Sequence, residues 1–341
     1  MSPRQESRQR SGASQPLRVH MAHPPPSSAQ QHLTSLLDTR ISLSFGPDLP
    51  DDDVDILVQG RLSEDCLETF PDLRAVIIPY AGVPTQTREL LLERRPALPV
   101  YNLHHNAVAA AELAMALFLA ATKSLLPADR ALRAHDWRSR YDGVPTLLLE
   151  GRIAVILGYG SIGARIARAC RGLGMTVHAV RRHVDAPLED GIHLHPRAAL
   201  PQLLPQADAL FVALPLTAET EGMVDREQIC LLPSTCVLVN IARGPIVDEQ
   251  ALYEALRDGR LAGAGLDVWY LYPSSPEERA HTPPSRFPFH ELDRVVMSPH
   301  RGGAFGLEEL ERRRMEDLAK TLNAMAVGET PPHRVDLTAG Y

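Results

Sequence analysis

The sequence predicts an α/β protein in which two successive strand–helix–strand series each build a doubly wound parallel sheet flanked by helices. Three observations carry that prediction. Short apolar runs of strand type alternate with stretches of helical spacing from Pro16 onward, the alternation restarts at Arg152, and the restart opens on a glycine-rich turn. At 341 residues the chain is long enough for two ordinary domains with sizeable cores.

LRVHM opens the first series as a short strand after Pro16, and VDILV at Val54–Val58 reads as a second. AVII at Ala75–Ile78 and PVYNL at Pro99–Leu103 follow, with helical segments such as TRELLLERRP between them. From Ala107 to Leu126 the sequence AVAAAELAMALFLAATKSLL is helix-forming and apolar on nearly every face. A helix without a polar side must be buried all round, in a core or between domains or subunits. RIAVIL at Arg152–Leu157 begins the second series. Its later strands are TVHAV (Thr176–Val180), ALFVAL (Ala209–Leu214), CVLVN (Cys236–Asn240), AGAGLDV (Ala262–Val268) and VVMS (Val295–Ser298). Gly306–Val327 reads as a long amphipathic helix ahead of a Pro-rich ending.

Composition narrows the function classes. A net charge of −7 argues against non-specific nucleic-acid binding, which needs a basic surface. Cys66, Cys170, Cys230 and Cys236 lack the short spacings of a metal site and read as buried or incidental thiols in a reducing compartment. The longest apolar run, near Leu113–Ala121, is well short of a membrane span. The first fifteen residues are rich in Arg, Ser and Gln, lack the apolar core of a secretory signal, and read as a disordered tail. The cytoplasm is the expected compartment.

After the RIAVIL strand comes G-Y-G-S-I-G, Gly158 to Gly163, running into helical sequence. Gly158 suits a tight turn, Gly160 lets a pyrophosphate approach the backbone, and Gly163 allows close helix–strand packing. The amides of Ser161 and Ile162, at the positive end of the helix, would hold the phosphates. No Gly-Lys-Ser/Thr follows, which excludes the phosphate loop of nucleotide triphosphatases. NAD binders place Asp or Glu at the tip of the next strand. Here that position is Arg181, followed by Arg182. Two guanidiniums suit the 2′-phosphate of NADP, with NAD the alternative if both are merely solvated.

Four further blocks resemble the D-isomer-specific 2-hydroxyacid dehydrogenase family. They are ALPLTAETEGMVD (Ala213–Asp225), VNIARGPIVDEQAL (Val239–Leu252), GAGLDVW (Gly263–Trp269) and VVMSPHRGG (Val295–Gly303), and the ending GETPPHRVDLTAGY has the same cadence. The resemblance runs from about Pro16 to Tyr341. It implies two Rossmann-like domains: a substrate-binding domain of residues 16–103 completed by 304–341, and a dinucleotide-binding domain of residues 104–303 inserted between. It maps the catalytic arginine to Arg243, the catalytic histidine to His300 and the nicotinamide-facing aspartate to Asp267. The bend Tyr80-Ala81-Gly82-Val83, where a glycine lets amides approach an anion, is where such enzymes bind the substrate carboxylate, so Gly82 and Val83 carry over.

The residue chemistry agrees with that mapping. Reducing a 2-oxo acid needs a cation for the carboxylate and carbonyl oxygen, and a proton donor for the developing alkoxide. Arg243 offers a fixed fork of donors, and His300 an imidazole that can be charged near neutral pH. One position departs from the family. Its members usually carry a glutamate five residues after the aspartate, bonded to the histidine, and here Tyr272 stands in D-V-W-Y-L-Y-P. Either Tyr272 orients His300 by hydrogen bonding, or Glu277 or Glu278 reaches in from the next loop, or catalysis is impaired. Without a carboxylate, the His300 pKa is expected near the free value of about 6.5.

These features read as an NAD(P)-dependent oxidoreductase acting on a small 2-oxo acid/2-hydroxy acid pair, of the glyoxylate or hydroxypyruvate type. The alternative is a catalytically weakened, dinucleotide-sensing binding protein of the same family. A homodimer is expected, with the apolar helix at its interface.

Overall fold

The structure, a computed structural model, describes residues 16–50, 53–143, 145–184, 188–304 and 306–340, with Leu188 and Glu189 by backbone alone. The segment read as a disordered tail lies outside the described residues. The chain divides into two compact units: one runs to His105 and resumes at Leu307, and the other spans Asn106–Gly306.

The first unit follows the pattern β1 (Leu17–Met21), α1 (Ser27–Leu36), β2 (Ile41–Phe45), β3 (Ile56–Val58), α2 (Glu64–Thr69), β4 (Ala75–Ile78), α3 (Thr85–Arg94) and β5 (Val100–Asn102). All five strands are parallel, in the order β2-β1-β3-β4-β5. Consecutive strand residues are buried because helices cover both faces. Leu33 of α1 and Met315, Leu318 and Leu322 of the C-terminal helix Glu308–Val327 pack on one face, and Leu67 and Leu91 on the other. β2, ISLSF, is unforeseen by the sequence reading, since its serines alternate with apolar residues on a half-exposed edge.

The second unit begins with the apolar helix, α4 (Ala107–Thr122), which is shorter than its sequence suggests. The Thr122 hydroxyl returns to the carbonyls of Phe118 and Leu119, and Ser124 takes a left-handed φ of 47° that breaks the helix. α5 (Leu125–Arg133) and α6 (Arg138–Tyr141) follow. Then come β6 (Ile153–Leu157), α7 (Gly163–Gly172), β7 (Thr176–Val180), β8 (Leu188–Glu189), β9 (Ile192–His195), α8 (Leu200–Leu203) and β10 (Ala209–Val212). The unit ends with α9 (Arg226–Leu231), β11 (Val237–Asn240), α10 (Glu249–Arg257), β12 (Gly263–Leu266) and β13 (Val295–Met297). The sheet order is β13-β12-β11-β10-β6-β7-β9-β8, parallel except for β8. α4 and α7 cover one face, and α8, α9 and α10 the other. The architecture is therefore α/β with two parallel sheets between helical layers, as predicted. The four cysteines are free thiols, three of them buried.

Candidate active site

A ligand of an open parallel sheet binds beyond the carboxyl ends of its strands, where the connections to the helices leave a crevice. In the second unit those ends carry the candidate cofactor-binding and catalytic residues, whereas Gly82 and Val83 belong to the first unit.

The glycine loop leaves β6 and enters α7. Gly158 has φ 99°, and a Cβ there would stand 2.5 Å from the Ala213 carbonyl oxygen. Gly163 lies against the Gly158 carbonyl so closely that no side chain fits. At Gly160, by contrast, a Cβ would meet nothing within 4 Å. The loop is thus tight where it must turn and pack, and open where a pyrophosphate has to approach. Arg165 braces it by donating to the Ser161 carbonyl at 2.9 Å. Among the described residues the amides of Ser161, Ile162 and Gly163 have no hydrogen-bond acceptor, whereas those of Ala164, Arg165 and Ile166 turn back onto the carbonyls of Gly160 and Ile162. These residues fit a dinucleotide.

β7 ends beside this loop, as the Gly158 amide donates to the Val180 carbonyl at 2.9 Å. Arg181 follows directly, and its backbone N–H donates to His195 on β9. Arg182 donates to Glu219 at 2.8 Å, an exposed pair on the order of 0.2–1 kcal/mol that a phosphate can displace.

The candidate catalytic residues cluster at the ends of β11, β12 and β13. Arg243 follows β11 in a turn held by the buried Asn240, whose amide oxygen accepts from Ala242 N–H at 3.0 Å and whose amide nitrogen donates to the Arg243 carbonyl at 3.0 Å. The guanidinium donates back to the Ala242 carbonyl at 2.6 Å. Asp267, just past β12, is buried, and its carboxylate organises the next loop: Oδ1 accepts from the Ser298 hydroxyl at 2.5 Å and the Arg301 amide at 2.7 Å, and Oδ2 from the Gly302 amide at 2.7 Å. Trp269 adds a bond from its indole N–H to the Ser298 carbonyl at 2.8 Å. These four bonds hold His300 at φ 56°, a conformation costly to a non-glycine residue and kept only because its surroundings dictate it.

His300 Nδ1 lies 3.0 Å from the Tyr272 hydroxyl, which also accepts from Trp269 N–H at 3.1 Å. Tyr272 is therefore the partner of the imidazole. Glu277 instead folds onto its own amide and Ser275, and Glu278 onto Ser274, both pulled below the usual carboxylate range. The His300 pKa is lowered, not left at its free value. Desolvation dominates, the Arg243 charge adds to it, and Asp267 opposes. Burial likewise raises the Tyr272 phenol, against the Trp269 N–H and Arg243.

Gly82 and Val83 lie in the bend after β4 of the first unit. Among the described residues neither amide has a hydrogen-bond acceptor. Sequence reasoning missed Asn240, Ser298 and Trp269, because each acts by holding a neighbour's backbone and carries no motif chemistry of its own.

Residues 115–302, over half the chain, match the family described as D-isomer specific 2-hydroxyacid dehydrogenase, NAD binding domain. The chain is 35% identical over 300 residues to a glyoxylate reductase of Thermococcus onnurineus, an alignment spanning 83% of each. It is 36% identical over 231 residues to a glyoxylate reductase of Korarchaeum cryptofilum, spanning 66% of this chain and 65% of that protein. Among solved structures, a D-isomer specific 2-hydroxyacid dehydrogenase from Xanthobacter autotrophicus Py2, in complex with NADPH and MES, matches at a TM-score of 0.77 and 26% identity, covering 96% of this chain and 100% of that one.

Proposed function

Because the chain belongs to the D-isomer specific 2-hydroxyacid dehydrogenase family, we propose that it reduces a small 2-oxo acid of the glyoxylate or hydroxypyruvate type with NADPH, NADH being the alternative donor. The observation that carries the reading is the His300 loop. Asp267 spends three hydrogen bonds on fixing a strained histidine within the field of Arg243, an arrangement that a merely structural loop does not need. Residues 106–306 then act as the dinucleotide-binding domain, and residues 16–105 with 307–341 as the substrate-binding domain.

In this mechanism Gly158, Gly160, Ser161, Ile162 and Gly163 would hold the pyrophosphate of the cofactor, and Asp267 would face its nicotinamide. The bound cofactor supplies the hydride. Arg243 binds the substrate's carboxylate and carbonyl oxygen, polarising the C=O and stabilising charge as it develops on oxygen. His300 Nε2 delivers a proton to that oxygen, with Nδ1 held by Tyr272. The Gly82 and Val83 amides take the substrate carboxylate. The test is loss of NADPH absorbance with glyoxylate, hydroxypyruvate and bulkier 2-oxo acids. Tight NADPH binding without turnover of any of them would favour a dinucleotide sensor.

Arg181 and Arg182 are assigned the 2′-phosphate of NADPH. Arg181→Asp is expected to weaken NADPH binding by about 1.5–3 kcal/mol and leave NADH binding equal or better. A wild-type protein that binds NADH more tightly than NADPH would refute the assignment.

The reading extends to a cytoplasmic homodimer. Among the described residues no single helix is long and apolar enough to cross a membrane, and α4 and α5, which pass that test only as a pair, are bent by 67°. α4 packs its buried side on β11, β12 and β13, while Leu113, Met115 and Leu119 stay partly open. Beyond it Leu125, Leu132, Trp137, Tyr141 and Leu148 are all exposed, an apolar surface that a second copy would cover. Sedimentation at micromolar concentration is expected to give a dimer and Trp137→Glu a shift to monomer; a monomeric wild type would refute it.

A further inference from the structure

We propose that Asn102 is a positioning residue for substrate, aiming the Gly82 N–H outward from the 80–83 bend, and that His104 locks Asn102 in the orientation that does so. The inference rests on the reading of this bend as the carboxylate site.

Asn102 ends β5, next to β4 in the sheet, so the parallel register sets its side chain beside the bend that leaves β4. It is buried, and its amide nitrogen donates to the Ala81 carbonyl at 2.5 Å. The Ala81 C=O and the Gly82 N–H belong to one trans peptide plane and point in opposite directions. Drawing the carbonyl inward onto Asn102 therefore turns the N–H outward. Without that bond the peptide could rotate and present a carbonyl oxygen, which repels a carboxylate.

The amide of Asn102 has one orientation because its oxygen is also committed. It lies 3.0 Å from Nε2 of His104, and since the Asn102 nitrogen already donates to Ala81, the oxygen must accept. The proton of His104 is thereby fixed on Nε2. The ring is kept neutral: burial first, and then neighbouring His333, push its pKa down to about 4. It is also clamped. Its backbone N–H donates to Asp317 at 2.8 Å, and its ring stacks on His333 with centroids 4.3 Å apart. His333 is held in turn by the Asn102 N–H, which donates to its carbonyl at 3.2 Å. A clamped neutral histidine thus fixes a buried asparagine, and the asparagine fixes a single carbonyl, that of the residue before Gly82.

Asn102→Asp keeps the shape and removes the donor. Substrate carboxylate binding is uniform across the reaction, so the loss should fall on KM. The KM for glyoxylate is expected to rise about ten- to hundredfold, with kcat within about threefold and the KM for NADPH unchanged. His104→Leu should raise the glyoxylate KM about five- to tenfold, and His104→Gln, whose amide can donate from the place of Nε2, should restore it to within about twofold. A normal glyoxylate KM in a folded Asn102→Asp protein would overturn the proposal. If the wild type turns over no 2-oxo acid, the functional reading fails separately, and the aiming is judged from crystal structures. An Ala81–Gly82 peptide unmoved in Asn102→Asp would overturn it, and one with its carbonyl turned out would support it.

Discussion

Arg243→Lys is expected to lower kcat/KM for 2-oxo acid reduction by about 10²–10³-fold, on the order of 2.7–4 kcal/mol of transition-state stabilisation, with NADPH affinity little changed. The substitution keeps the charge and removes the fork. A planar guanidinium can hold a carboxylate and an adjacent carbonyl oxygen with separate N–H groups, whereas an ammonium is a single hydrated point. The fork is also pre-oriented. Asn240 ties both ends of the Ala242–Arg243 turn, and the guanidinium rests on the Ala242 carbonyl. A lysine that rested on the same carbonyl would have no planar fork left to present, and it would lose more side-chain freedom per hydrogen bond formed. Arg243→Gln separates the two contributions. It removes the charge that depresses His300, so the His300 pKa should rise in that variant and stay low in Arg243→Lys. Near-wild-type kcat/KM in the lysine variant would show that Arg243 acts as a charge alone.

The candidate site was legible because its signals are local. The glycine loop, Arg243, Asp267 and His300 each sit in a short block at a strand end, and fixed spacing along the chain suffices to find them. What the blocks do not contain is the contact between them. Tyr272 could be marked as a departure by counting from Asp267, yet its bond to His300 depends on how two separate loops close, and the sequence left it level with Glu277 and Glu278. Asn102 carries no motif at all; its meaning comes from β4 and β5 lying side by side. The elements that escaped notice share one trait. β2 alternates serine with apolar residues at an edge, and β8 and β9 are a short pair turning at Asp190 and Gly191, so none presents the continuous apolar run of a central strand. The end of α4 was misplaced because Ser124 breaks the helix by its backbone angle within sequence that favours continuation.

Reduction is expected to decline as pH rises through a value below about 6.5, and Tyr272→Glu to move that limb upward by about one unit or more. His300 must carry a proton when hydride arrives, so the active fraction falls as pH climbs past its pKa. Desolvation and the Arg243 charge both depress that pKa, and only Asp267 opposes them. Tyr272 does not restore it. A phenol can donate to the neutral ring at Nδ1 or accept from the charged one, whereas a carboxylate only accepts and so favours the charged ring. Oxidation of the hydroxy acid needs the neutral imidazole and should persist to higher pH. Tyr272→Phe keeps the ring and deletes the hydroxyl shared by His300 and Trp269, so kcat should fall about three- to tenfold without an upward shift of the limb. Glu277→Gln should change nothing, since that carboxylate is held by its own amide and Ser275. His300→Ala should cost about 10²–10⁴-fold in kcat and erase the limb. The measurement is kcat/KM for reduction against pH across the series. A wild-type limb well above neutrality that collapses in Glu277→Gln would transfer the partner's role to Glu277. A profile indifferent to His300→Ala would remove the imidazole from the reaction.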